Sequence, residues 1–472
     1  MGRYKRLLSN TAILGVGTFA SKLLVFLLMP FYTAVLSTSE FGVADLISQT
    51  ANLIIPLASV GICDGLFRFT LDAKDADRKK IFSGAVAVLL AGGVASFFLL
   101  QILRCFSSLS GYIWLILTYV LCANLHTACA NYIRAQGKTV AFATQGIINT
   151  VLTILFNVLF LLAFDMGTVG YVLSVVAADL AVTLGLVFGL RLYRDISFAS
   201  LDRKMLRSML RFSIPYIPTT IMWMITSVSD RYMVAAWCGV NVNGLYAAAY
   251  KLPTLISLAS GVFIEAWQFS TVKDALPEER KHFFGTVFRN YMSIMFMGAS
   301  VLVAGSKLLT RMLLAGSYYS SWQYVPVLTV AMIFSAFSAF FGSVYFLEKK
   351  SMMSMLTAMS GAIVNVVLNL VMIPSHGAMG AAVATLISYL ATYVIRAVDT
   401  RHYLDFPMHH GRVAVNSAVL LLQCIIMIES VRYWKYLQVA ILLFMLIFNG
   451  RGIVQTLWGL WRKFREKKSE NA

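Results

Sequence analysis

Residues Ser229 to Trp267 read SDRYMVAAWCGVNVNGLYAAAYKLPTLISLASGVFIEAW. Two apolar spans are joined there by the polar turn Gly239 to Gly244, and Asp230, Arg231, Lys251 and Glu265 lie within or beside them. An ionisable side chain at the centre of a bilayer costs about 2.5 to 3.5 kcal/mol on insertion scales, and it persists where it meets other helices, a partner charge or a water-filled path. The stretch therefore points to a polar route through a membrane.

The rest of the composition agrees. Hydrophobic residues make up 59% of the 472 and charged residues 13%, against about 25% charged in an ordinary globular domain. The mean hydropathy is +0.76. Apolar runs of about 20 residues recur along the chain, the length of a membrane helix, whereas a barrel would show about ten-residue alternating strands. The fold class expected is all-α and polytopic, with about fourteen transmembrane helices. The apolar run Asn10 to Leu36 is too long for a signal h-region and reads as the first span. The six cysteines are scattered, with no CxxC pair, and the histidines do not cluster, so neither a disulfide framework nor a metal or other cofactor is expected.

Spans are expected at 10–36, 41–67, 81–103, 112–133, 140–164, 170–192, 212–237, 244–268, 284–305, 324–346, 352–374, 378–398, 413–430 and 433–450. With both ends inside, most of the 39 Lys and Arg fall in inner segments. The outer loops hold only Arg104, Lys307, Arg311, Arg432 and Lys435. That asymmetry is what the positive-inside rule requires of a correctly phased chain. The net charge of +18 then reports orientation and contact with anionic lipid headgroups, not nucleic-acid binding. The inner loop Tyr193 to Arg211 (YRDISFASLDRKMLRSMLR) spaces apolar residues helically between bases and reads as an interfacial linker. Leu457 to Lys468 (LWGLWRKFREKK) reads as a basic juxtamembrane anchor. The organisation expected is an N-terminal lobe at 1–192, the linker at 193–211, a C-terminal lobe at 212–399, two more spans at 400–450 and a basic tail at 451–472.

The two lobes repeat at an offset of just over two hundred residues. Phe41-Gly42-Val43 matches Asn243-Gly244-Leu245, and LIIPLASVGICDGLFRF (53–69) lies on LISLASGVFIEAWQFST (255–271). Tyr132 to Lys138 (YIRAQGK) precedes a span with Asn149 and Asn157, then Gly167 and Gly170; Tyr345 to Lys350 precedes Asn365, Asn369, Gly377 and Gly380. Two six-span halves in one orientation imply a pseudo-two-fold axis along the membrane normal, an arrangement of transporters that rock about a central site.

In the order and spacing of Ser39-Glu40-Phe41-Gly42, YIRAQGK (132–138), FSIPYIPTT (212–220), DRYM (230–233), GLYAAAYKL (244–252) and IPSHGAMGAAVATLISYL (373–390), the chain resembles the polysaccharide transporters. These are the Wzx-like flippases of lipid-linked oligosaccharides, within the MATE/MOP exporter superfamily. The resemblance implies transport and not enzymatic catalysis: a polyprenyl-pyrophosphate-linked glycan moved from the inner to the outer leaflet of a bacterial cytoplasmic membrane by alternating access. Its implied partners are that glycan lipid, membrane lipids, a coupling H⁺ or Na⁺ and glycan-synthesis enzymes. In related lipid II flippases, basic residues on spans one, two and eight meet the pyrophosphate, and Lys22 and Lys251 look like the positions on spans one and eight. On span two this chain departs from the pattern, with Gln49 opposite Lys251 in the repeat. That argues against lipid II itself as substrate.

Lysines suit a group that must be released, because they supply point charge without a rigid geometry. The competing reading pairs Lys22 and Lys251 as struts with Asp230, Glu265 or Asp179. Asp230 beside Arg231 reads as a structural charge pair. Glu265, Asp179 and Asp64 are candidates for ion coupling, since a buried carboxylate exchanges H⁺ or Na⁺. Asn149 and Asn365 are candidates for sugar contact, with interhelical packing as the alternative. The alternative functions are a cation-coupled multidrug exporter, which a cationic cavity disfavours, and a membrane glycosyltransferase or ligase, for which the short outer loops offer no catalytic cluster.

Overall fold

The computed structural model describes residues 27–450, apart from 72, 105–108, 198–200, 215–216, 272–276 and 349. The chain divides into two compact units, Met1–Ala247 and Ala248–Ala472. Among the described residues the secondary structure is helical. Nine helices among the described residues are long and apolar enough to cross a membrane, or ten when a pair bent by 44° counts as one span.

In the first unit, α1 (Met29–Val35) is the described part of the expected first span. The expected second span is two helices, α2 (Thr38–Ser59) and α3 (Ile62–Leu71), separated by Val60 and Gly61, both at positive φ. The left-handed backbone at Val60 ends α2 as a helix C-terminus commonly ends. Ser37 starts α2 with a capping box: its hydroxyl accepts from Glu40 N–H while the Glu40 carboxylate accepts from Ser37 N–H. Then follow α4 (Asp75–Arg104), α5 (Ile113–Ala135), α6 (Thr139–Val158) and α7 (Gly167–Gly189). A π-helical turn, Leu159–Ala163, closes α6. The lipid-side reading is visible on α6, where Ile147, Ile148, Val151 and Leu155 are exposed.

The linker carries α8 (Arg203–Ser213). Asp202 caps it, and the backbone N–H groups of Met205 and Lys204 hold the Asp202 carboxyl below the usual carboxylate range. Met209 and Ser213 are buried, and Gly65 leaves room for them; a Cβ there would come within 2.6 Å of Ser213 Oγ. After it come α9 (Ile217–Cys238) and α10 (Val240–Lys251), which bends by 44° into α11 (Thr254–Thr271). The unit boundary falls within α10, so α9 and most of α10 belong with the first unit.

The second unit continues with α12 (Pro277–Leu313), α13 (Val325–Leu347) and α14 (Ser351–Asp399). At 1.5 Å per residue α14 would run about 74 Å, far beyond a hydrocarbon core of about 30 Å. It is broken at Gly377 (φ 59°, ψ −145°) just after Pro374, so it supplies the two expected spans 352–374 and 378–398. The repeat is therefore legible in the backbone. Gly167 and Gly377 both take positive φ at the same turn, with φ 50° and 59°. Tyr132 donates to Asp195 at 3.0 Å in the first unit, and Tyr345 donates to Asp399 at 2.6 Å in the second.

Finally α15 (His410–Ile428) and α16 (Trp434–Gly450) are joined by side-chain amides. Gln423 Nε2 donates to Gln438 Oε1 while Gln438 Nε2 donates to the Gln423 main-chain carbonyl, Asn416 and Asn449 bond reciprocally through their side chains, and Gln423 also bonds Ser300 of α12. Lipid offers these amides no alternative partner, so their pairing fixes the hairpin register. Gln423→Ala should destabilise the protein by about 1 to 2 kcal/mol, measured as thermal unfolding in detergent.

Candidate functional site

The charged residues of α2, α9 and α10 meet inside the first unit. Arg231 Nη1 donates to Asp45 Oδ2 at 2.6 Å, and the guanidinium lies over the Tyr246 ring at 5.4 Å from its centre. Asp230 accepts the Tyr246 hydroxyl at 2.8 Å and the Arg231 backbone N–H at 2.8 Å. Asp230 is wholly buried, Arg231 4% exposed and Asp45 8% exposed. Sequence reasoning named Asp230 and Arg231 but not Asp45, which lies 186 residues away in the chain. Gln49, one turn along α2, donates to Asp45 at 3.4 Å, and Thr50 shares a hydroxyl bond with Tyr232 at 2.5 Å. That hydroxyl pair borders a cavity of about 340 Å³ lined otherwise by Leu53, Ile54, Leu57 and Leu99 and their neighbours. Its apolar lining does not suit a sugar headgroup.

Two glycines bring α2 and α10 together. A Cβ on Gly42 would collide with the Val240 carbonyl, and one on Gly244 with the Thr38 carbonyl. Asn243 Nδ2 donates to Gly42 O at 3.1 Å, and Thr38 Oγ1 lies 3.3 Å from Asn241 Oδ1. The residues that the repeat aligns are thus in backbone contact, a small-residue crossing of membrane helices.

Lys251 is half-buried at the break between α10 and α11, and Thr254 Oγ1 donates to its carbonyl. As the last residue of α10 it sits at the negative end of that helix's dipole, which favours the ammonium ion. Lys22 lies outside the described residues, and so does the side chain of Glu265. Asp64 is exposed in the first turn of α3. Asn365 is fully buried, its amide near Ser388 and Thr385, and its carbonyl accepts from Asn369 at 2.9 Å. Asn149 donates to Asp179 at 2.7 Å, and Asp179 lies 3.0 Å from His126. His126 falls in the expected span 112–133, and no motif in the sequence singles it out. Arg396 is 2% exposed, with its guanidinium donating to Thr357 Oγ1 and to the carbonyls of Ser338 and Ser354.

These features define a many-spanning membrane protein, and solved transporters of the MOP superfamily share its fold. The structure of the lipid II flippase MurJ in an inward closed conformation aligns at TM-score 0.69 and 13% identity, over 94% of this chain and 98% of that one. An inward-facing multidrug resistance MATE family transporter of the MOP superfamily aligns at 0.67 and 14%, over 81% and 95%. A MOP superfamily transporter from Pyrococcus furiosus, described as having a binding pocket of reverse polarity, aligns at 0.53 and 12%, over 84% and 96%. The family model for polysaccharide biosynthesis proteins matches residues 7–267, more than half of the chain, and the chain belongs to that family. A comparison with curated proteins finds no match.

Two outcomes test this geometry. Asp45→Asn should destabilise the protein by about 3 kcal/mol or more by leaving a buried guanidinium unanswered, whereas Asp45→Leu combined with Arg231→Met should recover most of the loss in the same unfolding measurement. With Cys238 replaced by Ser, the pair Thr38→Cys and Asn241→Cys should crosslink on oxidation, and Gly42→Val should reduce the yield by forcing the helices apart.

Proposed function

We propose that the protein is a flippase that carries a polyprenyl-pyrophosphate-linked oligosaccharide from the inner to the outer leaflet of a bacterial cytoplasmic membrane, for cell-surface polysaccharide synthesis, with both termini inside. The observation that carries the reading is Lys251, a cation held at a break in a membrane helix. Broken helices at membrane depth are where transporters place their ligand sites. A pyrophosphate and many hydroxyls have no solvation in hydrocarbon, and a hydrated, cationic path removes most of that barrier. The family's description supports a place in polysaccharide synthesis, and the named activity of MurJ supports lipid flipping.

In this reading Lys251 and Lys22 bind the pyrophosphate, and Gln49, Asn149 and Asn365 are the candidates for contact with the glycan. Asp179, Glu265 and Asp64 are the candidates for coupling to H⁺ or Na⁺. Asp45, Asp230 and Arg231 hold α2, α9 and α10 together. Glycan-synthesis enzymes are the expected neighbours. The likeness to MATE transporters favours one second reading, a cation-coupled multidrug exporter.

The test uses proteoliposomes containing a polyprenyl pyrophosphate that bears one fluorescent sugar, with dithionite added outside. The wild type should expose nearly all of the probe to quenching, and Lys22→Gln with Lys251→Gln should slow its appearance about tenfold or more. A wild type that leaves the inner half protected would remove the flippase reading. Full speed in the double variant would remove the pyrophosphate assignment.

A further inference from the structure

The first unit encloses a titratable cluster between α5, α6 and α7 that joins one of the candidate coupling carboxylates, Asp179, to a histidine. His126 on α5 places Nδ1 3.0 Å from Asp179 Oδ1 on α7, and Nε2 2.7 Å from Gln145 Oε1 on α6. Asn149 of α6 donates to the same Asp179 oxygen at 2.7 Å and lies 3.3 Å from His126 Nδ1. The two side chains are 15% and 11% exposed. A histidine and a carboxylate at that depth in membrane helices mark function more often than packing.

Counting protons sharpens this. Both ring nitrogens face oxygen atoms. A neutral imidazole has one N–H and an ionised carboxylate has none, so satisfying both contacts takes one further proton, on the second ring nitrogen or on the carboxyl. The arrangement accommodates that further proton, and the Asn149 amide, 3.3 Å from Nδ1, is placed to donate to the ring once it leaves. Without that proton, lone pairs on Nδ1 and Oδ1 oppose each other at 3.0 Å, and the contact between α5 and α7 has to open or admit the Asn149 amide.

We propose that His126 and Asp179 form a proton-binding dyad, taking one proton from water and returning it to water, whose occupancy sets the contact between α5 and α7 and so lets a pH difference act on transport. The coupling half of this statement rests on the transport reading. The surroundings of the pair are consistent with a single site. On α5, Tyr119 and Cys122 lie close enough to feel the charge of Asp179. From α6, Thr139–Val158 brings no titratable residue, and α4 brings none between Ile81 and Leu103. The groups offered by α2 and α3 are engaged or exposed: Asp45 with Arg231, Cys63 with the Asn124 carbonyl, and Asp64 at the surface. Among the described residues, Asp179 is the carboxylate within ion-pair distance of His126.

The experiment uses the full chain in the proteoliposomes above, with a pH dye inside. A difference of one pH unit should accelerate wild-type flipping of the fluorescent polyprenyl pyrophosphate by up to about tenfold for one coupled proton, with internal pH moving in step. In Asp179→Asn and His126→Gln the ratio of rates with and without the gradient should fall to about one, and Asp179→Glu should restore it. A gradient response that persists in either variant, or that is lacking in an active wild type, overturns the proposal. A second measurement needs no transport: the infrared difference spectrum of the wild type after a pH jump should show a histidine ring change and a carboxyl change together, both lost in Asp179→Asn. Their absence from the wild type overturns the dyad even where the variants fail to fold. If the wild type does not flip the probe but shows these bands, the flippase reading falls and the dyad stands.

Discussion

A charge inside a bilayer has to be answered by something other than water, and the arrangement of this molecule follows from how each charge is answered. Arg231 is answered by Asp45 at 2.6 Å and by the face of Tyr246. Those contacts tie α2 to α9 and α10. Arg396 is answered by two backbone carbonyls and a threonine hydroxyl. Removing either partner of such a buried pair costs more than the pair itself contributes, because the remaining charge stays desolvated. The same logic governs the uncharged groups, and the bonds of Gln423 with Gln438 and of Asn416 with Asn449 are its neutral form.

Lys251 lies at the end of a helix, where the chain breaks. It is half-buried, and it ends a helix that bends by 44°. In the proposed reading it is this lysine that receives and releases the phosphate. The close crossing of Gly42 and Gly244 shows how little space separates α2 from α10 where they meet. Any widening of a path there requires the two helices to part as bodies, because their backbones are in contact at the two glycines.

Long apolar runs are obligatory in lipid, so the order of spans, and the glycine turns at Gly167 and Gly377, could be read from the sequence. The repeat register was legible too: it placed Tyr132 on Tyr345, and each bonds an aspartate at or just past the end of the sixth expected span of its own half. The break at Val60 and Gly61 was hidden, because the residues around it are apolar and continue the run. Asp45 was hidden for another reason. Nothing local marks a carboxylate early in α2 as the partner of an arginine 186 residues later. His126 and Asp179, on separate helices, were unconnected in the same way. Hydropathy locates helices but carries no rotation about their axes, and these pairings depend on rotation.

Membership in the polysaccharide biosynthesis family, the MOP fold and a lysine at a helix break together form the account of a lipid-linked glycan flippase. Its most direct test is the leaflet distribution of lipid-linked oligosaccharide in cells depleted of the protein, read in oriented membrane vesicles with an impermeant glycosidase. The account predicts that the glycan lipid accumulates on the cytoplasmic face. An unchanged distribution, together with altered sensitivity to lipophilic cations, would contradict it.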